Sequence, residues 1–426
     1  MLAARGRQVI YFSLGLIILA LFGAPLFAII AASAMVGFLG SEIDLSVMAI
    51  EVFGLAEMPI LLAIPLFTFA GYLLSESGAP GRLVRITSAF LGWMPGGLAI
   101  VSLVACALFT AFTGASGVTI IALGALLFPA LAHAGYDERF NLGLITTSGS
   151  LGLLFAPSLP LILYGVVAGV SIDDLFLAGV LPGVLMLILL SGYALWHNRE
   201  AIKKAAAEER ISLRSAVRES IWEIPLPFVV LGGIYSGYFA VSEAAAVTAL
   251  YVLIVEVLVL KEIPFNKLPA IMRESMVLVG GILMILGVSL ASTNYMIDAG
   301  VPEKLFAIVD AYVEGPRSFM VLLLVFLLIL GAILDIFSAL VLVVPLILPV
   351  SARFGVDPIH LGIVFLAAMQ LGYLTPPVGL NLFIASYRFN QTITRVYLAT
   401  LPFFMMLLLA VIIIAFWPPL SLLLLG

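Results

Sequence analysis

The sequence predicts an all-α polytopic membrane protein, an inverted repeat with two re-entrant helical hairpins and two broken helices. Hydrophobic residues make up 63% of its 426 positions and charged residues only 10%, so its apolar surface exceeds what a soluble core can bury. Charge-poor runs of about 20 residues, the length of one spanning helix, recur along the chain. Two segments about 220 residues apart are interrupted by prolines in similar sequence contexts.

The spanning elements are expected to be helices, because lipid offers no hydrogen-bond partner to an unpaired backbone. The first apolar run, 9–39, follows Arg5 and Arg7. It is much longer than the apolar core of a cleavable signal peptide, which favours a retained span. The single cysteine, Cys106, lies in an apolar segment and is interpreted as a small buried side chain.

The first half of the chain contains six predicted elements. The stretch 96–131 is either one long helix or two short halves, and the small or polar residues at 113–117 favour a re-entrant hairpin. The piece at 78–94 mixes arginines with large apolar residues, which is typical of a helix lying at the interface. The elements in order are spans at 9–39 and 52–76, the interfacial piece 78–94, the hairpin 96–131, a span at 140–170 interrupted at 156–160, and a span at 174–196.

A charged loop at 197–220 separates the halves and holds six of the nineteen lysines and arginines. The positive-inside rule therefore places it, and the N-terminus, in the cytoplasm. Counting crossings from this loop leaves only Lys304, Arg317 and Arg353 outside. The later elements are spans at 226–240, 242–260 and 275–297, a second interfacial piece, a second hairpin at 320–350, a second broken helix, and a closing helix to Leu425.

Three stretches of the second half match the first half in the same order, at offsets of 220 to 222 residues. Such a match indicates a duplicated unit. In the predicted topology the two copies enter the membrane from opposite sides. The matching pairs are SGAPGRLV with AGVPEKLF, LLFPALAHAGYD with LILPVSARFGVD, and SLGLLFAPSLP with QLGYLTPPVGL.

The interrupted helices predict cation sites. Pro376 and Pro377 remove two amide donors, so the carbonyls around Gly372 and Tyr373 are expected to lose their helical partners. Carbonyls freed at membrane depth suit a sodium ion, and the following half-helix offers amides to an anionic substrate. The alternative is that proline and glycine only kink a packing helix.

Two sodium sites and a substrate site follow from this interpretation, each formed by a hairpin tip and a break. Asp335 is the acid nearest the second tip, with helix capping as its alternative role, and Asn381 is expected to contact either substrate or backbone. The first sodium site is Thr113, Gly114, Ser116, Ser150, Gly152, Phe155 and Pro157; the second is Gly331, Asp335, Gly372, Thr375 and Pro376; the substrate residues are Ser158, Ser338 and Asn381.

Five stretches of the sequence carry a family resemblance: AIPLFTFAGYLL at 63–74, GWMPGGLAI at 92–100, APSLPLILYG at 156–165, GGIYSGYFAVSEAAAV at 232–247 and LGYLTPPVGLNLF at 371–383. In these stretches the chain resembles the large membrane subunit, the DctM-like M subunit, of tripartite ATP-independent periplasmic (TRAP) transporters. The resemblance extends over nearly the whole chain. Two departures leave the exact ligands of the first site open: the tip TGASG has fewer serines than is usual in the family, and Ala156-Pro157 stands where two prolines are common.

The resemblance implies a sodium-coupled importer of organic acids in the bacterial inner membrane, working by an elevator mechanism. It implies a small four-helix membrane subunit and a periplasmic substrate-binding protein as partners, with Na⁺ as coupling ion, no organic cofactor and no nucleic-acid partner. The expected division is scaffold spans and the first arm at 1–94, a transport unit at 95–170, scaffold with the cytoplasmic loop and second arm at 171–317, a transport unit at 318–390, and a closing helix at 391–426.

Other classes of protein are less favoured by the sequence. A stand-alone sodium/anion symporter of a related elevator fold would share the hairpins but need no binding protein, and it remains the alternative. A membrane enzyme acting on lipid-linked substrates would place clustered acids, histidines or arginines at a membrane-edge loop, and the charged loop has no such cluster. An ATP-driven pump would need GxxxxGK[ST], which the sequence lacks.

Overall fold

The computed structural model describes residues 22–94, 96–199, 212–313 and 315–425, together with Phe12, Gly15, Leu16, Ile18 and Leu19. All regular structure in these residues is helical. Eight helices are long and apolar enough to cross a membrane, or nine if one bent pair counts as a span. The all-α membrane fold is therefore confirmed. Arg5, Arg7 and residues 200–211 of the charged loop lie outside the described residues.

From residue 22 onward, the described part of the first repeat contains nine helices. A 3₁₀ turn, Leu151–Leu154, follows the seventh helix, and the two halves of this broken helix are bent by 42°. The helices are α1 Leu26–Gly40, α2 Ser46–Gly54, α3 Ala63–Glu76, α4 Ala79–Leu91, α5 Gly97–Thr113, α6 Ser116–His133, α7 Glu138–Ser148, α8 Leu159–Ala168 and α9 Ile172–His197.

The remaining helices comprise a connection and the second repeat. A π-helical turn, Ile254–Val259, extends the third of them. They are α10 Leu213–Glu219, α11 Pro225–Tyr235, α12 Val241–Leu253, α13 Leu268–Asp298, α14 Val301–Asp310, α15 Pro316–Ile333, α16 Ile336–Arg353, α17 Pro358–Gly372, α18 Leu380–Phe389, α19 Ile393–Phe416 and α20 Pro419–Leu422.

Several predicted spans have the wrong bounds. The span 52–76 is interrupted by 3₁₀ turns between α2 and α3, where Pro59 has no amide to continue a helix. The span 226–240 is reduced to the 11-residue helix α11, which ends before Gly237 adopts a left-handed φ of 74°.

The predicted closing helix and the charged loop also need correction. Helix α19 ends at Phe416 rather than Leu425, because Pro418 and Pro419 follow and remove two amide donors. The described end of the loop is not irregular, since residues 213–219 form α10. The first hairpin is two helices and not one, as the small residues at 113–117 indicated.

The duplication predicted from three short matches extends to the helices themselves. Helices α6 and α16 both contain 18 residues, and they begin at Ser116 and Ile336. Asp137 and Asp357 cap the two broken helices, each accepting hydrogen bonds from two backbone amides of the first turn. Such caps satisfy amides that a helix start leaves unpaired.

Two hydrogen bonds show that the repeats are antiparallel. Gln391, just after α18, donates to Glu138 at 3.2 Å, so the end of the second broken helix lies beside the start of the first. Tyr164, near the end of α8, donates to the carbonyl of Pro358 at 2.5 Å. The end of the first broken helix therefore lies beside the start of the second. The inverted repeat is confirmed.

The repeats are interleaved rather than packed side by side. Helix α7 packs against α19 so closely that a Cβ built on Gly143 would lie 2.2 Å from the carbonyl oxygen of Ala399. Helix α17 similarly packs on α8, where a Cβ on Gly362 would lie 2.5 Å from the ring of Tyr164. Each broken helix is thus covered by helices of the other repeat.

A charged cluster fixes the first interfacial arm, α4, to the ends of α11 and α12. The Arg82 guanidinium donates to Glu223 at 2.5 Å, to Glu256 at 3.3 Å and to Glu262. Glu262 also accepts the amide of Gly78 at 2.6 Å. Only 12% of the Arg82 side chain and 1% of the Glu256 side chain are exposed. One arginine therefore compensates three carboxylates at the base of the arm.

Candidate functional site

The first hairpin reverses at Gly114 and Ala115. Gly114 has a left-handed φ of 65°, which glycine adopts without a steric penalty. Across this tip, the hydroxyls of Thr110 and Thr119 lie 2.6 Å apart. Nine residues of continuous helix would separate them by about 13 Å, so the short distance shows that the chain folds back on itself.

The first tip packs against the first break. The Thr110 hydroxyl donates to the carbonyl of Gly149 at 2.8 Å, so Thr119 is the donor in the hydrogen bond across the tip. A Cβ built on Gly152 would lie 2.2 Å from the Ala107 carbonyl oxygen. Only glycine permits this approach, which explains Gly152 as a packing residue.

The second tip packs against the second break in an equivalent way. A Cβ on Gly372 would lie 2.6 Å from the backbone of Gly331. The amides of Val378 and Gly379 both donate to the carbonyl of Ala332, at 3.1 and 3.3 Å. The Tyr373 hydroxyl accepts the amide of Ile336 at 2.7 Å. The expectation that each tip faces a break is confirmed.

Four buried oxygens without hydrogen-bond partners lie around the first tip and break. They are Thr113 Oγ1, Thr147 Oγ1, Ser158 Oγ and Asn381 Oδ1. The tip and the half-helix meet directly, because a Cβ on Gly114 would touch the Leu159 side chain at 2.5 Å. Asn381 belongs to the second repeat, yet its amide donates to the carbonyl of Thr146 at 3.2 Å.

An unpartnered buried hydroxyl costs about 1–3 kcal/mol. Three such hydroxyls and one amide oxygen lie around the same tip and break, and they fit a ligand that attracts neutral oxygens, such as a sodium ion at a broken helix. Thr113, predicted for the first sodium site, belongs to this group, and so do Ser158 and Asn381, which were predicted as substrate residues. Thr147 was missed, although the polar run Thr146-Thr147-Ser148 just before the break was a readable signal.

The other residues predicted for the first sodium site differ in their contacts and in the elements to which they belong. Ser150 is buried, and its hydroxyl donates to the carbonyl of Thr147 at 3.4 Å. The carbonyl of Phe155 accepts the amide of Ser158 at 3.0 Å, and its ring packs on Gly183 of α9. Pro157 follows a cis peptide bond, and Ser116 is the buried first residue of α6.

At the second break the carbonyl of Gly372 has lost its helical partner, as predicted, because Pro376 has no amide. The carbonyl of Gly372 is not free, because it accepts both the amide of Thr375 at 3.0 Å and the Thr375 hydroxyl at 2.7 Å. The threonine replaces the lost helical partner with a local turn. Pro376 forms a cis peptide bond with Pro377. Gly331, Gly372 and Thr375 are brought together as predicted.

Asp335 caps helix α16. Its carboxylate accepts the amides of Phe337 and Ser338 at 3.0 Å and the Ser338 hydroxyl at 2.5 Å. The capping role that the sequence left as an alternative is therefore present. The equivalent residue of the first hairpin is Ala115, which has no side-chain acceptor. The first-turn amides of α6 consequently have no side-chain cap.

A cavity of about 290 Å³ lies between the two tips. Tyr72 of α3 and Leu278 of α13 also form part of its wall. None of the three predicted substrate residues, Ser158, Ser338 and Asn381, is among its lining residues. The lining consists of Tyr72, Gly114, Ala115, Ser116, Gly117, Val118, Leu153, Leu278, Asp335, Ile336, Phe337, Tyr373, Leu380 and Ile384.

The starts of α6 and α16, which both reach the cavity, differ in how their first-turn amides are paired. The uncapped start of α6 offers backbone amides, which attract an anionic group. The start of α16 is already occupied by the carboxylate of Asp335. Tyr72 was missed, and Tyr373 was named only for its backbone carbonyl, because an isolated tyrosine in an apolar segment gives no sequence signal for the role of its side chain.

Comparison with known proteins identifies a family for this chain. Residues 13–420 match the family model described as the tripartite ATP-independent periplasmic transporter, DctM component. The C4-dicarboxylate TRAP transporter large permease protein DctM of Pseudomonas aeruginosa is 33% identical over 378 residues, 88% of each chain. The ectoine/5-hydroxyectoine large permease UehC of Ruegeria pomeroyi is 30% identical over 413 residues, 96% of each chain.

Two further similarities extend the comparison. The isethionate TRAP transporter permease protein DctMQ of Oleidesulfovibrio alaskensis is 32% identical over 361 residues, which are 84% of this chain and 57% of that protein. The crystal structure of the Alcanivorax borkumensis YdaH transporter matches 87% of each chain with a TM-score of 0.56 and 14% identity. The latter likeness concerns the fold alone.

Proposed function

The chain belongs to the DctM component family of tripartite ATP-independent periplasmic transporters, and from this premise we propose that it is a sodium-coupled importer subunit for organic acids. The observation that carries the proposal is the cavity between the hairpin tips, with an uncapped helix start on one side and four unpartnered oxygens nearby. The relatives are transporter permeases and not enzymes.

An organic acid suits the cavity because its carboxylate can accept hydrogen bonds from the first-turn amides of α6. Ser116, Gly117 and Val118 of this turn all line the cavity. A helix start carries partial positive charge, which favours a carboxylate over a neutral group. The related permeases named above are described for C4-dicarboxylates, isethionate and ectoines, so the family alone does not select one acid.

Sodium would be held at the two tip-and-break junctions. At the first junction, neutral oxygens would come from Thr113, Thr147, Ser158 and Asn381. At the second junction, they would come from Thr375 and the second hairpin tip. The ion would be coordinated by these oxygens, and its positive charge would favour binding of the substrate anion. Coupling of this kind is reciprocal, so substrate would also tighten sodium binding.

The proposed partners are a small membrane subunit and a periplasmic substrate-binding protein, in the bacterial inner membrane with the 197–220 loop in the cytoplasm. The hairpins and broken helices would move as a transport unit against the outer spans and arms. Tyr72 and Leu278 support this division, since they bring the outer spans to the cavity wall.

The proposal is tested by uptake of labelled organic acids into proteoliposomes that contain this chain and its small subunit. We expect uptake only with an inward sodium gradient and only with the binding protein present. Replacing sodium with potassium and omitting the binding protein are the controls. Uptake that continues without sodium would overturn the coupling, and uptake without the binding protein would indicate a stand-alone symporter.

Thr113→Val tests the first sodium site without measuring transport. A ligand present at 100 times its Kd stabilises a protein by about 2.7 kcal/mol. Loss of one ligand oxygen is expected to weaken sodium about tenfold and reduce this stabilisation by about 1.4 kcal/mol. In sodium-free buffer the variant should unfold no earlier than the wild type, because it loses an unpartnered hydroxyl.

The matched control is Thr248→Val, whose buried hydroxyl donates to the carbonyl of Ala244 at 2.7 Å, away from the site. It should keep the full sodium-induced shift of the unfolding temperature. An equal shift in wild type and Thr113→Val would remove Thr113 from the site.

Asp335→Asn and Asp335→Ala separate the capping role from a role in sodium binding. Asparagine caps helices as well as aspartate, whereas alanine costs about 1 kcal/mol. Both variants remove the charge, so both are expected to raise the sodium concentration for half-maximal uptake by about tenfold or more, an energy of about 1.4 kcal/mol. If Asp335→Asn transports with unchanged sodium dependence, Asp335 is only a cap.

A further inference from the structure

We propose that a second, larger cavity binds one acyl chain of an amine-headed phospholipid such as phosphatidylethanolamine. The cavity has a volume of about 440 Å³ and lies between the first arm, the first hairpin and α11. It shares no lining residue with the cavity between the tips. Its walls include Leu83, Ile86 and Phe90 of the arm and Leu108, Phe109 and Phe112 of the hairpin.

The mouth of this cavity is apolar and open. Phe90 is 55% exposed, Leu108 42% and Phe228 73%. Large apolar side chains exposed on a membrane-spanning chain face hydrocarbon, because water would penalise their exposure. The cavity therefore opens sideways into the lipid, where an acyl chain is the abundant apolar molecule that can enter.

The cavity follows the arm and the end of the first hairpin helix. It extends from the amphipathic arm to Phe112, which is one residue before the end of the hairpin helix at Thr113. Helix α5 starts at Gly97, so Phe112 lies about 22 Å along the helix from its start. A chain that entered at the level of the arm would reach towards the hairpin tip.

The polar end of the cavity selects the headgroup. Glu223 lines this end, and its Oε2 atom has no hydrogen-bond partner. Its other oxygen shares the guanidinium of Arg82 with Glu256 and Glu262. Three carboxylates around one guanidinium leave negative charge in excess. An ammonium headgroup complements this charge, while an anionic phosphatidylglycerol is repelled.

The first experiment counts phospholipids that stay bound to the full-length chain, by native mass spectrometry after transfer from nanodiscs. The nanodiscs contain equal amounts of phosphatidylethanolamine and phosphatidylglycerol with identical acyl chains. We expect one retained lipid per chain, with phosphatidylethanolamine favoured at least about fivefold over phosphatidylglycerol. Equal retention of the two lipids would overturn the headgroup assignment.

Leu108→Trp places bulk in the cavity and is expected to abolish retention. Leu126→Trp is the matched control, since Leu126 is a similarly exposed leucine, at 44%, on the other hairpin helix, and it does not line the cavity. Retention unchanged by Leu108→Trp, or lost equally in both variants, would overturn the site.

A second measurement uses the wild-type chain and therefore does not depend on folding of the variants. Phosphatidylethanolamine with a photoreactive group on its acyl chain should label peptides that contain Leu83 to Phe90 and Leu108 to Phe112. Labelling confined to outward positions such as Ile121 and Leu126 would overturn the proposal. So would cross-linking of these cavity residues to a partner subunit with no lipid retained.

Discussion

Arg82→Leu is expected to lower the free energy of unfolding by about 3–5 kcal/mol, the usual effect of removing one partner from a buried ion pair. The variant leaves Glu223, Glu256 and Glu262 together without a compensating cation. Glu256 suffers most, because its side chain is only 1% exposed. Unfolding of the chain in nanodiscs by heat or denaturant, at fixed lipid composition, measures the change.

Two further variants show whether the burial of the charge is the cause. Arg85→Leu is the matched control, since Arg85 lies on the same arm, pairs with Glu219 and is 59% exposed; an exposed pair contributes about 0–1 kcal/mol. Adding Glu256→Gln to Arg82→Leu should recover about 0.5–3 kcal/mol. Equal losses for Arg82→Leu and Arg85→Leu would show that the cluster does not anchor the arm.

Gly372→Ala is expected to reduce uptake about tenfold or more. The new methyl group would lie 2.6 Å from the Gly331 backbone, and backbone cannot rotate away as a flexible side chain can. Overpacking of this kind costs about 1–3 kcal/mol, which is enough to separate the second tip from the second break. Uptake in the reconstituted system and the sodium concentration for half-maximal uptake measure the effect.

The control for this variant is Gly192→Ala, because a Cβ on Gly192 would meet no atom within 4 Å. Gly331→Ala is intermediate, since its added Cβ would lie 3.1 Å from Gly372, and a smaller loss is expected. Wild-type uptake and sodium dependence in Gly372→Ala would contradict the tight contact between tip and break.

Most of the fold could be predicted from the sequence, because the breaks and the hairpin tip are marked by short runs of particular residues. Prolines at 157 and 376–377 mark the breaks, and small residues at 113–117 mark a tip. The boundaries that failed depend on weaker signals. The segment 52–76 is mostly apolar, with Glu57 as its one charge before the last residue, so its hydropathy could not reveal that Pro59 begins a 3₁₀ turn between two helices.

The candidate site was less predictable, because it depends on which backbone groups find partners. The carbonyl of Gly372 was expected to be free, but it accepts a hydrogen bond from the Thr375 hydroxyl. The sequence does not show whether a threonine hydroxyl donates within its own turn or to a neighbouring element. Asn381 meets Thr146 of the other repeat. The two residues are 235 positions apart in sequence, and their contact follows only from the interleaving of the two repeats.

That interleaving also constrains how the protein is made. Helix α7 packs on α19, and α8 on α17, so the first broken helix enters the membrane well before the segments that cover it have been translated. At about 5–20 residues per second, the ribosome needs on the order of 10–50 s to reach α19 from α7. For that period the newly inserted half presents its proline break and unpartnered hydroxyls without their native cover. The first repeat can therefore complete its folding only after the second repeat has been translated.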